Sequence, residues 1–92
     1  MKVMIRTFGH LKQKFGESRE IEVDSGGTPG NILRSILFPD RDGYFAIFDD
    51  QGTLRTHIVL MVNRKRISPA DIEQIALHDG DELAVLPPVA GG

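Results

Sequence analysis

Apolar and polar positions alternate at the start of the chain, which is typical of a β-strand with one buried face. The stretch from Lys2 to Phe8 places two sets of side chains on opposite faces: Val3, Ile5 and Thr7 on one, and Met4, Arg6 and Phe8 on the other. Because an arginine is costly to bury without a partner, Arg6 marks its own face as the outer one. The alternation therefore predicts a first strand whose core side carries the Val3 set.

The next apolar positions predict a helical connection and a second strand. Leu11 and Phe15 are four residues apart, and Gly16 follows them as at the end of a short helix. The stretch from Glu20 to Val23 then alternates again, with its two branched aliphatic residues inward. We expect the two strands to form an antiparallel hairpin.

One long helical pattern follows, and it begins at Thr28-Pro29. The threonine hydroxyl suits a helix cap, and proline is favoured at the first helical position. The apolar stripe of this helix consists of Ile32, Leu33, Ile36 and Leu37. The pattern ends near Phe38, before Pro39. The sequence thus predicts one main helix with a single apolar face.

The second half of the chain contains an uninterrupted apolar strand from Ile58 to Val62. Before it, Pro39 to His57 carries several apolar anchors, and its place in the fold stays open. After it, Asn63-Arg64 marks a turn, and Ser68 to Asp71 suits a single helical turn. The order strand, strand, helix, strand, strand predicts an α+β domain with a sheet packed on the main helix.

The last fourteen residues have the most distinctive pattern. Asp79-Gly80 is a strong hairpin-type turn signal, and Leu83 to Leu86 is an apolar run of strand length. Pro87 and Pro88 lack backbone N–H donors, so the strand stops before them. We therefore divide the chain into a domain of residues 1–86 and an extended, flexible tail of residues 87–92, which can reach roughly 20 Å from the domain.

The tail ends in Gly91-Gly92. Without Cβ atoms, this backbone can enter a narrow slot and approach a ligand closely. The terminal carboxylate is a poor electrophile until it is activated, for instance as an acyl-adenylate made from ATP. The Gly-Gly ending therefore favours a C-terminal carboxylate that is activated for a reaction over a terminus that has no function.

Composition and net charge limit the classes of protein to which the chain can belong. With 92 residues, 40% hydrophobic and 26% charged, the chain suits one small folded domain. A net charge of -2 argues against a nucleic-acid binder, and no run is long enough to cross a bilayer. The N-terminus lacks the apolar core of a signal peptide, so we expect a cytoplasmic protein. His10, His57 and His78 lack metal-ligand spacing, so no metal site is expected.

Several stretches together resemble the small subunit of molybdopterin synthase, a family of sulfur carriers in the ubiquitin-like β-grasp superfamily. The terminal run Leu77 to Gly92 carries the most specific similarity. The others are Val3 to Phe8, Leu11 to Gly16, Thr28 to Leu33 and Val59 to Asn63. The resemblance implies a mixed four- to five-stranded sheet packed on one main helix, with the first and last strands side by side.

The resemblance also implies a mechanism without an active site or bound cofactor in the chain itself. An E1-like adenylating enzyme would use ATP to activate the Gly92 carboxylate, and a sulfur donor would convert it to a thiocarboxylate. The tail, comprising Pro87, Pro88, Val89, Ala90, Gly91 and Gly92, would then enter the large subunit of molybdopterin synthase. There the sulfur would pass to a pterin precursor of the molybdenum or tungsten cofactor. Since the chain has no cysteine, sulfur could be carried only on the terminal carbonyl.

Three alternatives remain open. The same tail could supply sulfur for thiamine synthesis or tRNA thiolation. It could be joined through an amide bond to lysines of other proteins, as in a ubiquitin-like modifier. In a different class, the chain could be a β-grasp adaptor with an inert tail.

A second predicted site is an apolar patch on the outer sheet face, defined by Met4, Phe8, Val59, Met61, Ala84 and Leu86. Sheets covered on one face only are usually polar on the other, so apolar outer positions indicate an interaction surface. The alternative is that Pro39 to His57 folds over this face and buries it. Arg64-Lys65-Arg66, the only basic cluster, suits a solvated hairpin tip, although it could steer an acidic partner.

Overall fold

The computed structural model describes residues 1–8, 16 and 18–86. Its elements in chain order are β1 (Lys2–Thr7), β2 (Ser18–Glu22), α1 (Pro29–Leu37), α2 (Arg41–Ile47), β3 (Val59–Val62), β4 (Lys65–Ile67), a 3₁₀ turn (Pro69–Asp71) and β5 (Glu82–Leu86). The five strands form one mixed sheet in the order β2-β1-β5-β3-β4. The first and last strands pair in parallel, and the other neighbours are antiparallel. This arrangement confirms the α+β class and the β-grasp topology.

The predicted hairpin between the first two strands is confirmed, with shifted ends. β1 ends at Thr7, and β2 covers Ser18–Glu22 where the sequence indicated Glu20 to Val23. Val3 lies opposite Ile21, and Val3 is fully buried. The predicted helical connection from Leu11 to Phe15 lies outside the described residues.

The main helix, α1, forms where its cap and apolar stripe predicted it. The Thr28 hydroxyl accepts a hydrogen bond from the Asn31 backbone N–H at 3.3 Å. Gly30, at the start of the helix, donates its backbone N–H to the Ile72 carbonyl at 2.8 Å. A Cβ at this position would lie 3.1 Å from the same carbonyl oxygen. Glycine therefore allows α1 to approach the segment after the 3₁₀ turn closely.

A second, shorter helix, α2, lies in the segment whose place in the fold the sequence left open. Asp40 caps it by accepting a hydrogen bond from the Gly43 N–H at 3.1 Å. Its last residue, Ile47, and the following Phe48 are 1% and 0% exposed. The helix is stabilised by this burial, because a seven-residue helix is marginal by itself.

The segment from Pro39 to His57 packs on the same side of the sheet as α1. Ile47, Phe48 and Leu54 join the core formed by α1 and the inner residues of the strands. A bridge between Phe48 and Leu54 closes the loop that links them. The alternative in which this segment covers the outer face is therefore wrong.

The turn predicted at Asn63-Arg64 joins β3 to β4. Both residues have positive φ angles, 50° and 70°, which suit a tight hairpin turn. β4 extends the sheet to five strands, the upper limit of the expected range.

The core lies between the inner sheet face and the two helices. Its most completely buried large side chains are those of Phe48, Ile47, Leu60, Leu77, Leu83 and Val3. Full burial of each contributes about 1.5–3 kcal/mol relative to exposure. In the part of the chain described, neither helix is long and apolar enough to span a membrane.

Candidate functional site: the outer sheet face and the end of the last strand

β5 lies at the centre of the sheet, between β1 and β3. Ala84 at its midpoint is opposite Arg6 on one side and Met61 on the other. Leu86, its last residue, is opposite Val59. The predicted tail therefore begins directly after a strand that is held along both edges.

The turn at Asp79-Gly80 attaches the start of β5 to the start of β1. The Lys2 N–H donates to Asp79 Oδ1 at 2.7 Å, and the Gly80 N–H donates to the Lys2 carbonyl at 2.8 Å. Gly80 has a φ of 87°, which favours glycine. The predicted turn is present, but it does not join two paired strands, because β4 and β5 are separated by β3.

Asp81 fixes the same end of β5 to the β3–β4 turn. Its carboxylate accepts hydrogen bonds from Asn63 Nδ2 at 2.9 Å and from the His78 backbone N–H at 2.7 Å. The Asn63 side-chain oxygen in turn accepts from the Glu82 N–H at 2.9 Å. The bond from Asn63, followed by the bond from the His78 backbone, lowers the pKa of Asp81. The start of β5 is thus braced on both sides, which fixes the direction in which the strand leads to the tail.

The outer sheet face brings the predicted patch residues together. Met4, Phe8, Val59, Met61 and Leu86 are half-buried. Ala84 also occupies an outer position, but it is only 5% exposed because its neighbours on β1 and β3 shield it. Ala84 therefore offers little contact area, and the larger side chains around it supply the accessible apolar surface.

A charged pair crosses this face. Arg6 Nη1 lies 3.6 Å from Glu82 Oε2, and the Arg6 guanidinium lies 5.5 Å from the centroid of the Phe8 ring. Sequence patterning placed Arg6 outward but did not identify Glu82 as its partner, because that pairing depends on the parallel register of β1 and β5.

The most exposed large apolar side chain among the described residues was not assigned to any site. Phe38, directly after α1, is 82% exposed, and Phe45 on α2 is 37% exposed. Neither belongs to the outer sheet face. Single exposed apolar residues are common on protein surfaces and carry no assignment by themselves.

The other predicted site residues lie outside the described residues. They are Pro87, Pro88, Val89, Ala90, Gly91 and Gly92. Their roles stay predictions. Within residues 1–8, 16 and 18–86, no group of three or more histidine, aspartate or glutamate residues is arranged to hold a metal ion.

Known proteins resemble the chain over its whole length. Small archaeal modifier protein 3 of Haloferax volcanii is 33% identical over 93 residues and is covered completely, as is this chain. The crystal structure of SAMP1 from the same organism superposes with a TM-score of 0.85 at 27% identity, again over all of both chains.

A second similar structure comes from a two-protein assembly. It is the complex of subunits 1 and 2 of molybdopterin-converting factor from Helicobacter pylori 26695. The matching chain has a TM-score of 0.62 and 28% identity, with complete coverage of both chains. The ThiS family model matches residues 5–92. Together with the ubiquitin-like β-grasp fold, this match shows that the chain belongs to the ThiS family.

Proposed function

We propose that the chain is a ubiquitin-like sulfur carrier whose reactive group is the C-terminal carboxylate of Gly92. The observation that supports this most directly is the position of the terminus relative to the fold. The central strand of a ThiS-family domain ends at Leu86, six residues before the final glycine of a Gly-Gly pair. Since glycine has no Cβ, that end of the chain fits a narrow channel in a partner enzyme.

The proposed chemistry has two steps, both in a partner's active site. In an E1-like adenylating enzyme, a Gly92 carboxylate oxygen attacks the α-phosphorus of ATP, and pyrophosphate leaves. A sulfide-level donor then attacks the acyl carbon, and AMP leaves, which produces the thiocarboxylate. The ATP is bound by the partner, and the carrier contributes position rather than catalytic side chains. We place this activity in the cytoplasm, where ATP is available.

The finer proposal concerns the sulfur acceptor. We propose that the carrier is the small subunit of molybdopterin synthase, and that its tail enters the large subunit. There the thiocarboxylate would transfer sulfur to a pterin precursor of the molybdenum or tungsten cofactor. The similarity to the Helicobacter pylori chain, which was solved with its second subunit, supports this acceptor. Thiamine synthesis and tRNA thiolation would use the same activated terminus.

A second candidate function is protein modification, and the similarity to the Haloferax volcanii modifier protein favours it. In this case a lysine amine of a target protein attacks the activated Gly92 carbonyl. AMP or a thiol leaves, and an amide bond forms. The fold, the tail and the activating enzyme are common to both candidates, so they differ only in the nucleophile that reaches the acyl carbon.

Intact mass spectrometry of the protein isolated from its native cells tests these proposals. Replacement of one terminal oxygen by sulfur would support the carrier, and lysine-linked conjugates would support the modifier. A mixture would show both functions. A protein that is only ever found with an unmodified carboxylate, even when ATP and the sulfur source are abundant, would favour the adaptor alternative and contradict both.

A further inference from the structure

Each methionine of the outer apolar patch lies opposite a charged residue at an edge of the sheet. Met4 on β1 pairs with Glu20 on β2, and Met61 on β3 pairs with Arg66 on β4. Residues directly opposite each other in a sheet project from the same face. Glu20 and Arg66 therefore border the apolar patch on its two opposite sides.

Neither of these two charged residues is buried in the sheet. Both residues are exposed, and neither forms an ion pair with any residue that the structure describes. By contrast, Arg6 and Glu82 in the middle of the face neutralise each other at 3.6 Å. Glu22 on β2 also projects from this face, opposite the exposed Lys2 on β1. The outer face thus has an apolar centre, a β2 edge with two carboxylates beside one lysine, and a positive β4 edge.

The two edge charges act independently of each other. β2 and β4 are the outermost strands, four strand spacings apart, or about 19 Å at about 4.8 Å per spacing. This exceeds the Debye length, which is about 8–10 Å at physiological ionic strength. A partner therefore meets two separate charges of opposite sign, one on each side of the patch.

We propose that Glu20 and Arg66 set the orientation in which the activating enzyme binds the outer face. The partner surface would carry an acidic group opposite Arg66, an apolar centre opposite Met4 and Met61, and a basic group opposite Glu20. This inference rests on the proposed function and names the partner chemistry that the docking surface accepts.

The physical reason is that apolar contact alone does not fix direction, because hydrophobic attraction is non-directional. A partner rotated by half a turn on the patch would still cover the methionines, but the end of β5 at Leu86 would then point away from its active site. In the rotated arrangement, like charges would meet at both edges of the sheet. Opposite edge charges therefore favour the arrangement that delivers the tail, in line with the role of rim charges in register and association rate.

The experiment measures ATP–pyrophosphate exchange by the purified E1-like enzyme of the source organism, as a function of carrier concentration. We expect Arg66→Glu and Glu20→Lys each to raise the KM for the carrier about three- to ten-fold at low ionic strength, with kcat unchanged. At high salt the difference should largely disappear. Circular dichroism melts check that the variants are folded.

Two control variants make the same charge change away from the outer face. Lys65 is adjacent to Arg66 in β4, but it is opposite Val62 and projects from the other side of the sheet. Asp50, between Phe48 and Leu54 in the segment that packs on the α1 side of the sheet, is exposed. Lys65→Glu and Asp50→Lys should therefore leave the KM within about two-fold of the wild type, since only net charge changes.

The outcomes separate the inference from the proposed function. A wild-type carrier that supports no ATP–pyrophosphate exchange contradicts the proposed function. It then also contradicts the inference, which rests on that function. An active wild type whose Arg66→Glu and Lys65→Glu variants have the same KM overturns the inference alone. A wild-type dimer in sedimentation equilibrium that Arg66→Glu dissociates would assign the face to a second copy of the chain instead.

Discussion

Arg34 on α1 forms an ion pair with Glu73, which follows the 3₁₀ turn. The same Nη2 atom donates a hydrogen bond to the Gly52 carbonyl at 3.0 Å, and the guanidinium lies 5.0 Å from the centroid of the buried Phe48 ring. The hydrogen bond to Glu73 raises the pKa of Arg34. The Arg34 side chain thus links α1 to the loop that contains Gly52 and to the segment that contains Glu73.

Replacing this arginine should destabilise the fold through lost contacts rather than lost charge alone. We expect Arg34→Ala to lower the free energy of unfolding by about 1–2 kcal/mol, measured by urea denaturation. Glu73→Gln should cost less than about 1 kcal/mol, because the pair is partly exposed. Arg41→Ala is the control, since Arg41 lies over the exposed Phe45 ring rather than over a buried one. Equal effects of Arg34→Ala and Arg41→Ala would contradict this account.

Asp81 should make stability depend on acidic pH. Hydrogen bonds from Asn63 and from the His78 backbone lower its pKa in the folded state, so its contribution is present above the unfolded pKa, near 3.9, and is lost as pH falls through the lower folded value. The wild type should therefore lose stability more steeply than Asp81→Asn below about pH 4. Urea denaturation as a function of pH measures the difference.

Asp50→Asn is the matched control, since Asp50 is exposed and makes no side-chain hydrogen bond with the described residues. It should follow the wild-type pH dependence. If Asp81→Asn follows the same curve, the carboxylate does not brace the start of β5 in the way its hydrogen bonds indicate.

Local patterns in the sequence were sufficient for most of the fold. The Thr28 cap and the apolar stripe after it located α1, alternation identified the inner face of β1, and an apolar run after a turn located β5. The helix α2 was missed because it is short, contains Gly43, and is held mainly by the burial of Ile47 and Phe48. Its sequence signal was Asp40, a good capping residue directly after a proline.

The charge arrangement of the outer face could not be predicted in the same way. Arg66 was part of a visible basic cluster, whereas Glu20 was an unremarkable strand residue. Their positions opposite Met61 and Met4 depend on strand register, which involves residues far apart in the chain. Register is set by the folded sheet and is only weakly encoded in any single stretch.

Deleting Gly92 should abolish activation and leave the fold intact. The deletion shortens the tether by one residue, about 3.3–3.6 Å, which moves the carboxylate out of reach of the adenylating site. Gly92 has no side chain that could contribute to the core. ATP–pyrophosphate exchange measures the loss, and a circular dichroism melt checks the fold. Normal adenylation of the shortened chain would contradict the proposed mechanism.

Gly91→Val tests whether the terminus must pass through a narrow channel. The branched side chain should block threading for steric reasons, so adenylation should fall at least about ten-fold, which is the effect of about 1.4 kcal/mol on the barrier. If the tail is extended, as the sequence predicts, the melting temperature should change by no more than a degree or two. A Gly91→Ala variant with intermediate activity would support the steric reason. A clear loss of thermal stability in Gly91→Val would mean that the tail is packed on the domain.

Met61→Glu and Leu86→Glu test the apolar patch itself. Both residues are half-buried on the outer face, so a carboxylate there removes apolar contact with a partner and adds a charge that the partner must desolvate. We expect folded variants, confirmed by circular dichroism, that bind the activating enzyme at least about ten-fold more weakly in isothermal titration calorimetry. Phe38→Glu provides the control, because Phe38 is 82% exposed and lies away from this face. Variants that unfold show that these positions are structural. Variants that fold and bind like Phe38→Glu show that docking occurs elsewhere on the domain.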